Sequence, residues 1–231
     1  MTPTFILASS SPRRRELLGS LGIRFTIIKP DIDETQRPGE PPLVYVSRLS
    51  YQKAQAVAIT NASVGTGLAL SAESNPNVIL AADTVVILGA DTLGVDEHGT
   101  ILGKPTDAAD ARDMLRRLRG RTHQVCTAMT LCQVHAPNRP PLEYHTQVTR
   151  TDVTMRDYTD AEIDAYIATG DPFDKAGSYA IQHPAFKPVA QIDGCYTNVV
   201  GLPLCTLKNM LAEIGWPGMQ PVEGCDCVSP G

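Results

Sequence analysis

Short apolar runs alternate along the chain with stretches whose apolar residues are spaced as on one face of a helix. Runs of strand length occupy 5–8 and 24–29, and NVILAADTVVIL at 77–88 is the most apolar of them. Between the first two, RELLGSL at 15–21 places leucines at helical spacing before Gly22. Because alternating strands and helices favour layered architectures, the pattern predicts an α/β fold with a mixed sheet. It predicts that 77–88 lies at the centre of that sheet.

The rest of the pattern predicts a long hairpin and four more helices. Two β-branched runs, 122–135 and 142–153, are separated by turn-forming residues, which indicates an antiparallel pair. Residues 60–76 are rich in Ser, Gly, Asn and Ala and are predicted to form a surface loop. Since no segment resembles a linker, we expect one domain over 1–215, followed by a Pro/Gly-rich tail at 216–231. The predicted helices are 41–58, 107–118, 159–169 with Gly170 as its stop, and a last one from Pro203 to 214.

Composition narrows the class of protein. The 231 residues are 42% hydrophobic and 19% charged with a net charge of -5, which is typical of a folded domain and unfavourable for a general nucleic-acid or membrane-surface binder. Aromatic residues make up only 5%, too few for the stacking platforms of single-strand binders. No apolar run approaches the ~20 residues of a membrane span, and the N-terminus lacks the order of a secretory signal. We therefore expect a cytoplasmic protein without nucleic-acid or membrane partners.

The segment SSSPRRRELL at 9–18 directly follows the first strand and is a candidate anion site. Ser11 and Pro12 suit the N-cap and the first helical position, so Arg13 and Arg14 fall in the first turn. The helix dipole disfavours cations there, which makes sense if an anion binds. Serine hydroxyls, free backbone N–H groups and guanidinium groups together suit a phosphate chain, and a solvated basic turn is the alternative. The first thirty residues carry five basic side chains and one acidic one, so basic charge is concentrated locally in an acidic chain.

Asp83 stands inside the most apolar strand, where a carboxylate is costly unless it is paired, metal-bound or at a cleft. We interpret it as functional, with a buried structural aspartate as the alternative. The same tripeptide, Ala-Asp-Thr, recurs at Asp91, but in a Gly-rich stretch typical of a turn. The acidic run 31–34 follows the second strand, and Glu34 with Asp83 could hold a Mg²⁺ ion that bridges phosphates. A solvated acidic loop is the commoner explanation for such a run.

Further polar residues could contribute to the same site. The segment GTILGKP at 99–105 has three residues between its glycines instead of the four of a P-loop, and a proline where a P-loop has Ser or Thr. We therefore reject a P-loop and keep Lys104 as a candidate. The turn-rich cluster 170–184, which carries Gln182 and His183, is typical of a substrate-binding rim. Four lysines could add positive charge: Lys29, Lys53, Lys104 and Lys175.

Taken together, seven ordered blocks resemble the Maf family of nucleoside triphosphate pyrophosphatases. The blocks are LASSSPRRRELL, DIDE, RLSYQKA, LAADTVV, LGKP, FDKAGSYAIQ and DGCYTNVVGLPL. The resemblance implies a mixed sheet with flanking helices in two lobes around a cleft, similar to the inosine triphosphate pyrophosphatase-like fold. It implies hydrolysis of a nucleoside triphosphate between its α and β phosphates, with Mg²⁺ or Mn²⁺ as the cofactor. It also leaves room for a homodimer.

The resemblance implies roles for individual residues. Asp83 matches the catalytic aspartate, which is described in the family as a proton acceptor. Three positions that distinguish branches of the family carry Arg13, Thr84 and Gln182, which implies the branch that acts on dTTP and UTP in the house-cleaning of nucleotide pools. The family's phosphate- or metal-handling positions are matched by Ser9, Arg14, Glu34, Lys53, Lys104 and Lys175.

The sequence departs from the family pattern at two positions, and it allows two alternative functions. Asp171 stands where the family usually has Glu, which is expected to weaken a metal or lysine contact. His183 stands where it usually has Gly, which is expected to narrow the base pocket. One alternative function is a nucleotide-binding regulator of septum formation and cell division with little turnover. The other is a purine-type pyrophosphatase acting on inosine or xanthosine triphosphate.

Overall fold

A computed structural model describes residues 4–63, 77–89, 100–134 and 143–216. The predicted turn at Asp91, most of the predicted loop 60–76 and the predicted tail after Trp216 lie outside these ranges. The described strands are β1 (Phe5–Ala8), β2 (Phe25–Ile27), β3 (Asn77–Leu88), β4 (Thr100–Leu102), β5 (Thr122–Val134), β6 (Glu143–Met155) and β7 (Val189–Asp193). They form one sheet in the order β2-β1-β3-β5-β6-β7, with β4 paired to β3.

The sheet is mixed, as predicted. Strand β1 runs parallel to β2 and β3, whereas β4 to β7 make antiparallel pairs. The predicted hairpin is the β5–β6 pair, whose register runs from Gln133 opposite Glu143 to Thr122 opposite Thr154. Strand β3 lies at the centre with the predicted bounds, and nearly all of its side chains are buried because both faces of the sheet are covered there.

The helices are α1 (Pro12–Ser20), α2 (Pro42–Ser63), α3 (Ala108–Leu118), α4 (Asp160–Ile167), α5 (Tyr196–Val200) and α6 (Leu204–Glu213). Two short 3-10 turns, Asp171–Asp174 and Ala176–Ser178, follow α4. The predicted start of α1 is confirmed, since the Ser11 side chain accepts a hydrogen bond from the backbone N–H of Arg14 and Pro12 opens the helix. None of the described helices is long and apolar enough to cross a bilayer.

The predicted end of α2 is wrong. The helix continues to Ser63, five residues beyond the expected end at 58. Small polar residues are typical of loops, but neither glycine nor proline interrupts this stretch, and the Thr60 hydroxyl donates back to the Ala56 carbonyl at 2.9 Å. The part of the predicted loop up to Ser63 is therefore helical.

The core divides into two parts that lie on either side of a cleft. In the first lobe, β1 and β3 are covered on one face by α2 and on the other by α1 and α6, so Ile6 and Phe5 point to opposite layers. In the second lobe, α3 and α4 pack with β6 and with the ends of β3 and β5 nearest β4. The long strands β3 and β5 run through both lobes, and this continuity fixes the two walls of the cleft relative to each other.

Candidate active site

A cavity of about 600 Å³ opens where β1 ends and beside the middle of β3. The first lobe contributes the start of α1 and the α2 side, and the second contributes β4 and the 3-10 turns. Nine of the ten predicted site residues line this cavity: Ser9, Arg13, Arg14, Glu34, Lys53, Asp83, Thr84, Lys104 and Lys175. The tenth, Gln182, does not line it. These nine residues are thus brought together from six separate stretches of the chain.

Asp83 is nearly buried in the middle of β3, opposite Ala128 of β5. Its Oδ1 accepts a hydrogen bond from Lys53 Nζ at 2.6 Å, and Lys53 reaches it from α2. The same ammonium group lies 3.1 Å from Oε1 of Glu34. Because a carboxylate in an apolar strand needs a partner, Lys53 supplies the compensating charge for Asp83 at this place.

The loop that carries Glu34 is held by two residues of α2. The Tyr45 hydroxyl donates to the Glu34 carbonyl at 2.8 Å. Arg48 donates to both carboxylate oxygens of Glu40, at 2.6 and 2.8 Å, and to the Thr35 carbonyl at 3.1 Å. The guanidinium of Arg48 lowers the pKa of Glu40 to about 2. The acidic loop is therefore an ordered wall of the cavity and not a freely solvated run.

The start of α1 is shaped by its serines. Ser9 is buried, and its hydroxyl accepts hydrogen bonds from the Ser11 backbone N–H at 3.2 Å and from Arg14 Nη1 at 3.5 Å. Arg13 points across the cavity mouth, with Nη2 3.7 Å from Oδ2 of Asp174. Two neighbouring arginines thus point in different directions, one across the mouth and one into the protein.

Arg14 donates hydrogen bonds to protein acceptors through each of its guanidinium nitrogens. Nε donates to the Gly201 carbonyl at 2.9 Å, Nη1 to the Ala82 carbonyl at 2.8 Å and Nη2 to Thr84 Oγ1 at 3.0 Å. Burial lowers the pKa of Arg14 from its ordinary value, and the nearby Asp83 carboxylate partly offsets this. Its edge reaches the cavity, and its donors are directed to β3, to the turn after α5 and, at 3.5 Å, to Ser9.

On the opposite wall, Lys175 is held by the first 3-10 turn. Its Nζ donates to the carbonyl and Oδ1 of Asp171, at 2.6 and 2.8 Å, and to Oδ1 of Asp174 at 2.6 Å. Burial raises the pKa of Asp171, but hydrogen bonds from Lys175 and Tyr166 outweigh it and hold that pKa below its ordinary value. The shorter carboxylate at position 171 therefore still reaches the lysine.

Gln182 and His183 lie on the turn that follows the second 3-10 turn, and neither is among the described residues that line the cavity. Gln182 is exposed. His183 packs edge-on against the Tyr166 ring at 4.7 Å, and its Nδ1 accepts a hydrogen bond from the Phe186 backbone at 2.9 Å. The expected narrowing of a base pocket by His183 is not seen in this cavity, and the substrate-binding role of Gln182 stays a prediction.

The cavity has a charged side and an apolar side. Six basic side chains and three carboxylates line it, which leaves an excess of positive charge suited to a polyanion. The apolar side includes Val86, Leu102, Val125 and Tyr179. Tyr179 is fixed by a hydrogen bond at 2.7 Å between its hydroxyl and Nε2 of the buried His123. The arrangement can hold phosphates at one end and a less polar group at the other.

The carboxylates fit the predicted metal only in part. Among the described residues there is no group of three or more His, Cys, Asp or Glu side chains that could hold an ion. Glu34 and Asp83 offer hard oxygen ligands on the same wall, both in contact with Lys53. Mg²⁺ is commonly bound by one or two carboxylates together with substrate phosphates, so this pair fits an ion whose coordination the substrate completes.

Sequence reasoning missed Tyr45 and Gly201, both of which line the cavity. Tyr45 lies eight residues before Lys53 on the predicted helix, and positions i and i+8 share a face, so helical spacing could have found it. Gly201 contacts Arg14 across 187 positions of sequence, and spacing contains no signal for that contact.

The fold and the cavity together define an α/β protein that can bind a small, multiply charged anion next to a buried carboxylate. The chain belongs to the Maf family, since the model of that family, described as Maf-like protein, matches residues 4–214.

Relatives of known name cover nearly the whole chain. A dTTP/UTP pyrophosphatase of Pseudoalteromonas atlantica is 44% identical over 90% of this chain and 96% of its own length. One of Anaeromyxobacter dehalogenans is 42% identical over 94% of this chain and 97% of its own. One of Myxococcus xanthus is 43% identical over 92% and 93%.

Solved structures give weaker likenesses. A HAM1 protein from Coxiella burnetii has a TM-score of 0.44 and 19% identity, over 92% of this chain and 100% of that one. A nucleoside-triphosphatase described as a dITP/XTP pyrophosphatase, from Mycobacterium abscessus, has a TM-score of 0.36 and 17% identity, over 67% and 75%. At these scores neither likeness carries an argument about this chain.

Proposed function

We propose that this protein hydrolyses dTTP and UTP to the nucleoside monophosphate and pyrophosphate, as an enzyme that cleans nucleotide pools. The observation that carries the proposal is the pairing of Asp83 with Lys53 and Glu34 in a cavity with excess positive charge. The names of relatives that are 42–44% identical over almost the whole chain support the choice of nucleotides. A cytoplasmic location and a homodimer stay predictions.

In this proposal the basic residues hold the triphosphate. Arg13 at the mouth, Lys104 beside β4 and Lys175 on the opposite wall provide cations at three places around the cavity. Cations placed where negative charge develops on the leaving pyrophosphate lower the barrier to phosphoryl-type transfer. Ser9 and the backbone N–H groups at the start of α1 add donors that suit phosphate oxygens.

Asp83 acts as the base. Water attacks the α phosphorus, the bridging oxygen leaves with pyrophosphate, and the proton of the water passes to the Asp83 carboxylate. Lys53 keeps that carboxylate oriented, because its ammonium already donates to Oδ1. Glu34 and Asp83 would hold the Mg²⁺ or Mn²⁺ ion, which supplies charge neutralisation on the phosphates when bound.

The test is Asp83→Asn, assayed for pyrophosphate release from dTTP and UTP with Mg²⁺ or Mn²⁺. Loss of the base is expected to lower turnover by about 10²–10⁴-fold. Glu213→Gln, the same change of carboxylate to amide at the exposed end of α6, is the matched control and is expected to keep wild-type turnover. Near-native turnover of Asp83→Asn would refute the assignment.

A panel of nucleotides separates the alternatives. The proposal requires dTTP and UTP to be hydrolysed faster than ITP and XTP by the wild-type protein. Faster hydrolysis of ITP or XTP would support a purine-type pyrophosphatase. Tight binding of nucleotide with negligible turnover of every member of the panel would support a regulatory protein.

A further inference from the structure

Arg14 bonds to the strand that carries Asp83 on both sides of that residue. Nη1 donates to the carbonyl of Ala82 at 2.8 Å, and Nη2 donates to the hydroxyl of Thr84 at 3.0 Å. We propose that Arg14 is a positioning residue, which fixes β3 around Asp83. The proposal rests on the proposed function and assigns a different role to one of its residues.

The position of Arg14 at the end of a strand explains the first contact. The β1–β3 ladder ends with Ala8 opposite Ala81, so β1 does not extend alongside Ala82. The next carbonyl along β3, that of Ala82, accepts its hydrogen bond from Arg14. Because a buried carbonyl without a donor costs free energy, the side chain of Arg14 continues the ladder where the backbone of β1 stops.

The second contact starts a chain of hydrogen bonds with a defined direction. Thr127 Oγ1 donates its one hydrogen to the Asn198 carbonyl at 3.3 Å. The hydrogen between Thr84 Oγ1 and Thr127 Oγ1, which are 2.9 Å apart, must then come from Thr84. Thr84 in turn accepts from Arg14. The side chain of Thr84 is thereby held from both sides, one position after Asp83 on β3.

The third contact ties the same guanidinium to the turn after α5. Nε donates to the Gly201 carbonyl at 2.9 Å, and Gly201 has φ of 118°, a conformation that favours glycine. A planar guanidinium can meet three acceptors in fixed directions at once, which a lysine ammonium cannot do in this geometry. The protein's own acceptors on β3 and on the turn after α5 therefore hold the guanidinium in place.

The test measures kcat and KM for dTTP at saturating Mg²⁺ in Arg14→Lys, Thr84→Val and the double variant. Arg14→Lys keeps the positive charge and loses the planar guanidinium, whereas Thr84→Val keeps the shape of the side chain and loses the hydroxyl that accepts from Arg14. We expect kcat to fall about 10–100-fold in Arg14→Lys and about 3–10-fold in Thr84→Val, with KM within about threefold of wild type. The kcat of the double variant is expected to be no lower than that of Arg14→Lys, since both changes break the same hydrogen bond between Arg14 and Thr84.

Arg13→Lys is the contrasting variant. Arg13 has the same charge one position earlier and points to Asp174 across the cavity mouth, so Arg13→Lys is expected to raise KM by a larger factor than it lowers kcat, the reverse of Arg14→Lys. Urea unfolding of every variant checks that rates refer to folded protein. If Arg14→Lys does not fold, Thr84→Val decides whether the proposal holds, since its kcat is expected to fall while its KM stays near that of wild type.

Two results would overturn the proposal. A tenfold or larger rise of KM with unchanged kcat in Arg14→Lys would make Arg14 a phosphate ligand. Independent effects that multiply in the double variant would show that Arg14 and Thr84 do not act together. A wild-type protein that hydrolyses no nucleotide would instead refute the proposed function, and this assignment with it.

Discussion

The ammonium of Lys53 lies 2.6 Å from the carboxylate of Asp83, and the two side chains are only 8% and 13% exposed. One comes from the middle of α2 and the other from the middle of β3, so the pair joins the helix to the sheet at the centre of the cavity. Glu34 completes the cluster from the solvent side, where its own side chain is 59% exposed. The cluster therefore serves the proposed activity and also holds α2 against the sheet.

Replacing Lys53 with Met is expected to lower stability as well as activity. It leaves Asp83 nearly buried without its cation, and breaking a pair of this kind costs about 3 kcal/mol. Urea unfolding measures the loss. The control Lys104→Met removes an exposed lysine of the same cavity, and its free energy of unfolding should stay within about 0.5 kcal/mol of wild type.

Adding Asp83→Asn to Lys53→Met should recover more than half of the lost stability, while turnover remains lost. Equal stability of Lys53→Met and wild type would contradict the role of the pair.

The buried His123 is expected to make the protein sensitive to mild acid. Burial lowers the pKa of His123 to about 3, so between about pH 6.5 and 3 the unfolded chain binds a proton that the folded chain does not. Stability therefore falls as the pH falls, by about 1.4 kcal/mol per pH unit from this residue.

The variant His123→Phe checks this expectation by urea unfolding between pH 6 and 4. Its stability relative to wild type should rise by about 1.4 kcal/mol for each pH unit of acidification, although at pH 7 it is lower because Tyr179 loses its partner. The control is His145→Gln, which removes an exposed imidazole from the surface of β6. Parallel pH dependence of His123→Phe and wild type would refute the account.

Elements with local signals could be predicted from the sequence. The bounds of β3 follow from an unbroken apolar run, and the start of α1 follows from Ser11 and Pro12. The predicted helix 159–169 ends two residues early, at Ile167, and Gly170, with a φ of 77°, lies in the turn that follows. Strands β4 and β7 were missed because they are short and half exposed, so their formation depends on the partners β3 and β6.

The site was predictable to the extent that its residues were chemically unusual where they stand. A charged residue in an apolar strand and a basic first turn of a helix are visible in a sequence, and Asp83 and Arg13 were found in this way. The direction in which a side chain points is not visible. Arg13 and Arg14 are neighbours of identical type, yet one faces the cavity mouth and the other β3. That difference arises from tertiary packing alone.

The carboxylate of Asp171 is expected to matter more for stability than that of Asp174, although both contact Lys175. Asp171 also accepts a hydrogen bond at 2.8 Å from the buried hydroxyl of Tyr166. Asp171→Ala therefore removes an acceptor from two donors, the Tyr166 hydroxyl and Lys175 Nζ. We expect a loss of about 2 kcal/mol for Asp171→Ala and less than about 1 kcal/mol for Asp174→Ala, whose carboxylate is largely exposed.

Urea unfolding of both variants measures this difference. Adding Tyr166→Phe to Asp171→Ala removes one stranded donor, so the double variant should lose less than the sum of the single losses. A larger loss for Asp174→Ala than for Asp171→Ala would reverse the assignment.

Gly177 is expected to tolerate no side chain, for two separable reasons. Its φ of 70° strains any L-residue, and an added Cβ would lie 3.2 Å from both Cγ atoms of Val86 on the cavity wall. Gly120 has a similar φ of 65° with nothing within 4 Å of an added Cβ, so Gly120→Ala isolates the cost of the backbone conformation, about 1 kcal/mol. Gly177→Ala should lose about 1–3 kcal/mol more stability than Gly120→Ala, because the added methyl overpacks the contact with Val86.

The double variant Gly177→Ala/Val86→Ala tests this by urea unfolding. Its loss of stability should be at least about 1 kcal/mol smaller than the sum of the two single losses. Strictly additive losses would mean that Val86 gives way, and that the backbone conformation alone excludes a side chain at Gly177.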